Sequence, residues 1–128
     1  LSGGKGLHVV APIMPGPSWE QPKDFCESFA KDLAEDRPQR YLATASKAER
    51  EGRIFVDWLR NTRGATSVCS WSLRARADAT VAMPIRWEDL SKIASPGAFT
   101  LPGAKARAAR LRSDPWADIG KLRQTLPG

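Results

Sequence analysis

The sequence has 128 residues, a formal net charge of +6, and a composition that is 41% hydrophobic and 27% charged. This length suits one domain with a modest core, and the composition excludes a wholly disordered chain. No apolar run approaches the ~18 residues that indicate a membrane-spanning helix, so we expect no membrane partner. Cys26 and Cys69 stand apart without a CxxC pair, which favours the reducing cytoplasm over a disulfide or zinc framework.

The first third of the chain predicts a strand followed by a long helix. Residues 7–11 are rich in β-branched side chains, which favours a short strand. Phe25, Phe29 and Leu33 then recur at positions i, i+4 and i+8. This spacing predicts a helix over residues 21–35 with a single apolar stripe.

The middle of the chain predicts a helical turn and a β-hairpin. Ser46 followed by Glu49 resembles a capping box and indicates a short turn over residues 47–50. Residues 53–59 are apolar on both faces, which is typical of a strand buried in the middle of a sheet. Residues 66–73 alternate in polarity, so we expect them to pair with that strand as a hairpin.

The last third predicts an edge strand and three helices. Pro84 limits the strand, and Asp114 is expected to cap the last helix. The strand is predicted over residues 80–85, and the helices over residues 87–93, 105–112 and 116–126. Helices and strands together place the chain in the α+β class, with a mixed or antiparallel sheet and flanking helices.

Asp57 is the most informative side chain of the predicted central strand. It stands between Val56 and Trp58, although aspartate is depleted in strands. An unpaired buried carboxylate is costly and needs a cation or several hydrogen-bond donors. Three interpretations remain open: a salt bridge to a nearby arginine, a metal ligand, or solvent exposure near the end of a sheet.

A glycine-rich segment opens the chain. Ser2 and Lys5 are interleaved with three glycines, and His8 follows. Glycines let a backbone approach a ligand closely and turn its amides towards an anion, so the segment is a candidate phosphate-binding loop. It leads into a predicted strand, whereas a Walker A loop leads into a helix. The alternative is a flexible terminal loop, and the lone histidine gives no support to a Ser-His-Asp triad or a multi-histidine zinc site.

Basic residues follow an acidic stretch. Acidic side chains dominate residues 20–36, and basic ones dominate residues 50–76 and 105–112. The guanidinium group of arginine suits phosphate recognition, so these stretches are candidates for a surface that faces nucleic acid or nucleotide. The alternative is an ordinary solvated surface.

Three segments in this order resemble the polymerase domain of bacterial DNA ligase D, in the archaeo-eukaryotic primase superfamily. They are Ser-Gly-Gly-Lys-Gly-Leu-His-Val at 2–9, Gly-Arg-Ile-Phe-Val-Asp-Trp-Leu-Arg-Asn at 52–61, and Ser-Leu-Arg-Ala-Arg at 72–76. The resemblance implies a partial primase-polymerase core of the RRM-like kind. It also implies that residues 1–128 are the C-terminal part of such a domain, with a core over 1–90 and a helical tail over 91–128.

The resemblance further implies a role in non-homologous end joining, in which a nucleotidyltransferase adds NTPs or dNTPs to DNA ends with Mn²⁺ or Mg²⁺. Asp57 matches a catalytic, metal-binding aspartate of the family, while Arg60 stands where some members carry a glutamine. Five residues match positions that serve the nucleotide: Ser2, Lys5, His8, Arg50 and Arg74. The family's Asp-x-Asp pair has no counterpart in this chain, so we expect the chain alone to polymerise poorly or not at all.

Three hypotheses follow. The chain is part of a polymerase domain that is completed by a missing N-terminal half and works beside a ligase module. Alternatively, it is a non-catalytic nucleotide- or DNA-binding module or remnant, or a small basic domain with no nucleic-acid role. An unpaired sheet edge would also favour a homo-oligomer.

Overall fold

The structure is a computed structural model that describes residues 1–127. The chain divides into two compact units. Unit 1 comprises Leu1–Ile13 and Val68–Gln124, and unit 2 comprises Met14–Ser67 together with residues 125–127. Helices and short strands occur together, which confirms the α+β class.

Unit 2 begins with the helix that the apolar spacing predicts. Helix α1 spans Glu20–Asp36, one residue beyond the predicted range at each end. It ends where the Arg37 N–H donates to the Leu33 carbonyl at 3.1 Å, just before a proline. Ala30 is fully buried, whereas Phe25 and Phe29 are exposed. The apolar stripe is therefore present but largely uncovered.

The sheet of unit 2 is shorter than expected and parallel. Strands β1, Tyr41–Leu42, and β2, Ile54–Phe55, form the two-stranded sheet found in the described chain. The prediction of a long buried strand over 53–59 is wrong, because β2 ends after Phe55 and Ile54 is 55% exposed. The predicted hairpin is also wrong, since β2 pairs with the earlier strand β1.

A 3-10 helix at Ala48–Arg50 lies between the two strands and confirms the predicted helical turn. The capping box itself does not form, because the helix has no side-chain cap. The Glu49 carboxylate instead accepts a hydrogen bond from the Thr44 hydroxyl at 2.9 Å. The capping-box pattern therefore indicates the position of the turn correctly, but the turn forms different hydrogen bonds.

The two cysteines differ in accessibility. Cys26, on α1, is half-buried, and burial raises the pKa of its thiol above the ordinary value of 9.0, whereas Cys69 is exposed. Since the thiolate is the reactive form, we expect maleimide at neutral pH to modify Cys69 well before Cys26. Above pH 9, the delay between modification of Cys69 and modification of Cys26 should shorten, because the thiolate fraction of Cys26 rises. Intact-mass time courses on Cys26→Ser and Cys69→Ser variants measure this, and equal rates at neutral pH would contradict it.

Unit 1 is built around residues 80–84, which are almost completely buried. Trp71, Ser72 and Arg74 run along one side, where Trp71 and Arg74 donate backbone hydrogen bonds of 2.7 Å. Phe99 and Leu1 lie on the other side and accept from Val81 and Met83. Single antiparallel bridges, Leu73↔Val81 and Thr80↔Thr100, replace continuous strands. The segment predicted as an edge strand is therefore the centre of this unit.

The helices of unit 1 agree with the sequence only in part. A 3-10 helix at Trp87–Lys92 confirms one prediction. Helix α2 spans Leu101–Arg110, four residues ahead of the predicted start, and packs the buried Ala104 against Val81 and Met83. A 3-10 helix at Ile119–Lys121 replaces the predicted last helix.

Two further predictions in unit 1 need correction. Residues 7–11 form no strand and are exposed, so their β-branched composition does not lead to pairing in this structure. The Asp114 carboxylate accepts from the Trp116 N–H at 2.7 Å, which closes a tight turn rather than opening a helix. Among residues 1–127, no helix has the length and apolar character to cross a bilayer.

Candidate functional site

The glycine-rich segment folds into a closed turn, here called the glycine turn, over residues 2–6. The Ser2 hydroxyl donates to the Gly6 carbonyl at 2.6 Å and accepts from the Gly4 N–H at 3.1 Å. The Ser2 N–H also donates to the Gly6 carbonyl, at 3.0 Å. Ser2 is buried, so its hydroxyl shapes the turn from within.

Gly3 brings the glycine turn against the core of unit 1. Its φ of +65° lies in the left-handed region. A Cβ at this position would stand 2.9 Å from three atoms: the Ala82 N, the Val81 carbonyl carbon and the Arg74 Cγ. No side chain fits there without a shift of backbone, so both the conformation and the close packing require glycine.

Two arginines lie beside the glycine turn. The Arg74 Cγ approaches Gly3, and the Arg76 Nη1 lies 3.8 Å from the position that a Cβ of Gly4 would take. Lys5, within the turn, is exposed. In the part of the chain that the structure describes, none of these three cations forms an ion pair. Cations without a counter-charge beside a glycine-rich turn suit an anion such as a phosphate group.

His8 follows the glycine turn and lines a cavity of about 100 Å³ in unit 1. Leu7, Trp87 and Trp116 lie along the same cavity, whose other lining residues are mostly apolar. The structure thus places His8 at this cavity, in the same unit as Lys5 and Arg74.

Asp57, in unit 2, has a different environment from the one that the sequence predicts. It lies after the end of β2, so the predicted mid-strand position is wrong, and its side chain is 43% exposed, as the alternative of solvent exposure near the end of a sheet describes. Its Oδ1 accepts from the Leu59 N–H at 3.2 Å, and its Oδ2 lies 3.8 Å from the Arg60 Nε. The carboxylate therefore has a local arginine partner, and so exposed a pair stabilises the fold little.

Residues 1–127 contain no group of three or more His, Cys, Asp or Glu side chains arranged to hold a metal ion. A two-metal centre needs several carboxylates around ions about 3.5–4 Å apart. Asp57 supplies one carboxylate, so the described residues do not by themselves fit such a centre.

Arg50, in unit 2, is held by neutral groups. Its guanidinium lies over the Phe55 ring, 4.2 Å from the ring centroid, and its Nη2 donates to the Ala45 carbonyl at 2.9 Å. Its Nε is buried without a hydrogen-bond partner. The arginine therefore links the 3-10 helix to β2, and no carboxylate of the described residues pairs with its charge.

The candidate residues fall into two sets. Unit 1 holds Ser2, Lys5, His8 and Arg74, and unit 2 holds Arg50 and Asp57. Sequence reasoning missed two residues beside the glycine turn, Arg76 and Thr80. Arg76 belongs to the 72–76 motif, which could have suggested it, whereas Thr80 carries no recognisable signal.

Comparisons with known proteins agree on one family. The model of the LigD primase-polymerase domain matches residues 1–116. The multifunctional non-homologous end joining protein LigD of Pseudomonas aeruginosa is 37% identical over 126 residues, which is 98% of this chain and 15% of that protein. Its counterpart in Mycolicibacterium smegmatis is 33% identical over 90 residues, 70% of this chain and 12% of that protein. The chain thus spans less than a fifth of either relative.

The structural comparison gives the same result. The polymerase domain from Mycobacterium tuberculosis ligase D, solved in complex with DNA, superimposes with a TM-score of 0.73 at 26% sequence identity. The match covers 87% of this chain and 38% of that one.

Proposed function

Because this chain belongs to the LigD primase-polymerase family, we propose that it forms the nucleotide-binding, C-terminal part of a domain that extends DNA ends during non-homologous end joining. The observation that carries the proposal is the glycine turn with Lys5 within it and Arg74 and Arg76 beside it, three cations that form no ion pair among the described residues. A nucleoside triphosphate, as NTP or dNTP, presents the dense negative charge that such a cluster binds.

The proposed roles follow from each environment. Lys5 places a mobile point charge at the phosphates, and Arg74, half-buried, contributes a guanidinium with several hydrogen-bond donors. Ser2 keeps the turn closed. We assign His8 and Arg50 to nucleotide contacts on the family resemblance, supported by the exposure of His8 and the uncompensated charge of Arg50.

We assign Asp57 as one carboxylate ligand of a Mn²⁺ or Mg²⁺ site whose other ligands come from outside residues 1–128. When bound, the metal would stabilise the charge that develops on the transferred phosphate. Because one carboxylate does not make such a site, the part of the reaction that we attribute to this chain is nucleotide binding. DNA ends, a ligase module and the rest of the polymerase domain are the proposed partners, in the bacterial cytoplasm at the nucleoid.

A second candidate function is a non-catalytic nucleotide- or DNA-binding module. The observation that favours it is the local pairing of Asp57 with Arg60, which occupies the one carboxylate assigned to metal. On this hypothesis the chain binds a nucleotide without transferring it.

Nucleotide titration of the 128-residue chain tests the binding role. We expect ATP to bind saturably and Lys5→Ala and Arg74→Ala each to weaken binding about tenfold, because each removes a charged contact to phosphate. Lys31→Ala, which removes an exposed lysine from the acidic stretch on α1, is the matched control and should bind as the wild type does. Absence of ATP binding, or an equal loss in the control, would exclude the proposed site.

Primer extension with Mn²⁺ then separates the two candidate functions. The 128-residue chain should extend no primer alone, and the full-length protein should extend one and lose this activity in Asp57→Ala. An active full-length Asp57→Ala protein would favour the binding module.

A further inference from the structure

We propose that Thr80 is a positioning residue that holds the glycine turn and Arg74 in register, and thereby sets the affinity for the nucleotide. This inference rests on the proposed function. Thr80 is 4% exposed, and its hydroxyl donates to the Gly3 carbonyl at 2.5 Å. Its own carbonyl accepts from the Arg74 N–H at 2.7 Å. One buried residue therefore joins the two parts of the candidate phosphate site.

The glycine turn needs such an anchor because most of its hydrogen bonds are internal. The hydrogen bonds between Ser2 and Gly6 fix the shape of the turn, but they do not fix its position on the core. Leu1 pairs with Met83 through two backbone hydrogen bonds at one side of the turn. A turn held at that side alone could pivot, and the bond from Thr80 to Gly3 supplies a second fixed point.

Packing around Thr80 reinforces this arrangement. A Cβ at Gly97 would stand 3.6 Å from the Gly4 carbonyl oxygen and 3.7 Å from the Thr80 methyl group. The threonine therefore fills the space between the glycine turn and the backbone at Gly97. Its methyl group packs there while its hydroxyl satisfies a carbonyl, so an isosteric valine would keep the packing and lose only the hydrogen bond.

The arrangement also fixes Arg74. Residues 74 and 80 face each other across a tight loop, in which the Ala79 N–H donates to the Arg76 carbonyl at 2.9 Å. Both Arg74 and Arg76 belong to this loop. The base of the loop is closed by the hydrogen bond from the Arg74 N–H to the Thr80 carbonyl, so Thr80 helps to fix the backbone from which both arginine side chains extend.

The test compares Thr80→Val, which removes the hydroxyl, with Thr80→Ser, which keeps it. Thr100→Val is the matched control, because Thr100 faces Thr80 in the antiparallel bridge but is exposed. We expect Thr80→Val to weaken ATP binding about fivefold, because a turn that has lost this bond must be ordered again when ATP binds, at a cost comparable to one hydrogen bond. Thr80→Ser should bind ATP with an affinity within about twofold of the wild type, and Thr100→Val should bind ATP with the wild-type affinity.

Amide hydrogen exchange provides a second readout that needs no nucleotide. In Thr80→Val, exchange should accelerate at Gly4 and Gly6, while the core amides of Val81 and Met83 keep wild-type rates. Faster exchange at all four positions would indicate general unfolding and overturn the positioning role, as would unchanged exchange in the turn. Wild-type ATP affinity in Thr80→Val would overturn the inference while leaving the proposed function intact. A wild-type chain that binds no ATP would overturn the proposed function, and with it the effect of Thr80 on affinity.

Discussion

Replacing Gly3 with alanine is expected to lower the free energy of unfolding by about 2–5 kcal/mol and to abolish ATP binding. A φ of +65° costs an alanine about 1–2 kcal/mol. The added methyl group would also stand 2.9 Å from backbone atoms of Val81 and Ala82, and relieving such overpacking costs about 1–3 kcal/mol more. Urea denaturation followed by tryptophan fluorescence measures the stability loss.

Two other glycines separate the causes of that loss. Gly52 has a φ of +69° with no atom within 4 Å of its Cβ position, so Gly52→Ala measures backbone strain alone. Gly120 has open space and no positive φ, so Gly120→Ala should leave stability nearly unchanged. If Gly3→Ala destabilised the protein no more than Gly52→Ala does, the close packing of the glycine turn on the core would be refuted.

Met83→Ala should produce the second large effect, a loss of about 2–5 kcal/mol in unfolding free energy. Met83 is 1% exposed and lies in the core cluster with Val81 and Ala104, so truncation would leave a cavity that its neighbours cannot fill. Leu122→Ala, which truncates a largely exposed side chain, is the control and should cost less than about 1 kcal/mol. Equal denaturation midpoints for the two variants would show that residues 80–84 are not the core of unit 1.

Local signals in the sequence located the helices better than the strands. The apolar spacing that predicts helix α1 lies within the helix itself. The polar pattern that predicts the turn at Ala48–Arg50 lies next to that turn in the sequence. A strand depends on a distant partner, and the partner of Ile54–Phe55 proved to be Tyr41–Leu42, which carries no strong strand signal.

The edge strand predicted over residues 80–85 is wrong for a related reason. Pro84 indicated a strand at the edge of a sheet, because proline donates no backbone hydrogen bond. In the structure Pro84 is buried, and the last donor before it, the Met83 N–H, pairs with Leu1. Proline thus ends the pairing without implying exposure to solvent.

The candidate site was predictable to the extent that sequence neighbours remain spatial neighbours. The closed glycine turn follows from three glycines around Lys5, and the 72–76 motif points to the arginines. That Arg74 lies against Gly3 depends on the fold of residues 71–82, which no local pattern encodes. The exposure of Asp57 depends on β2 ending at Phe55. The nucleotide and metal roles of these residues stay predictions.

Residues 80–83 form the core of unit 1 and also hold the glycine turn, through Thr80 on Gly3 and Met83 on Leu1. On the proposed function, nucleotide binding and folding of this unit would therefore be thermodynamically linked. A nucleotide that binds only the folded form stabilises it by about 2.7 kcal/mol at a free concentration of about one hundred times its Kd. A higher nucleotide concentration would then raise the fraction of this unit that is folded at equilibrium.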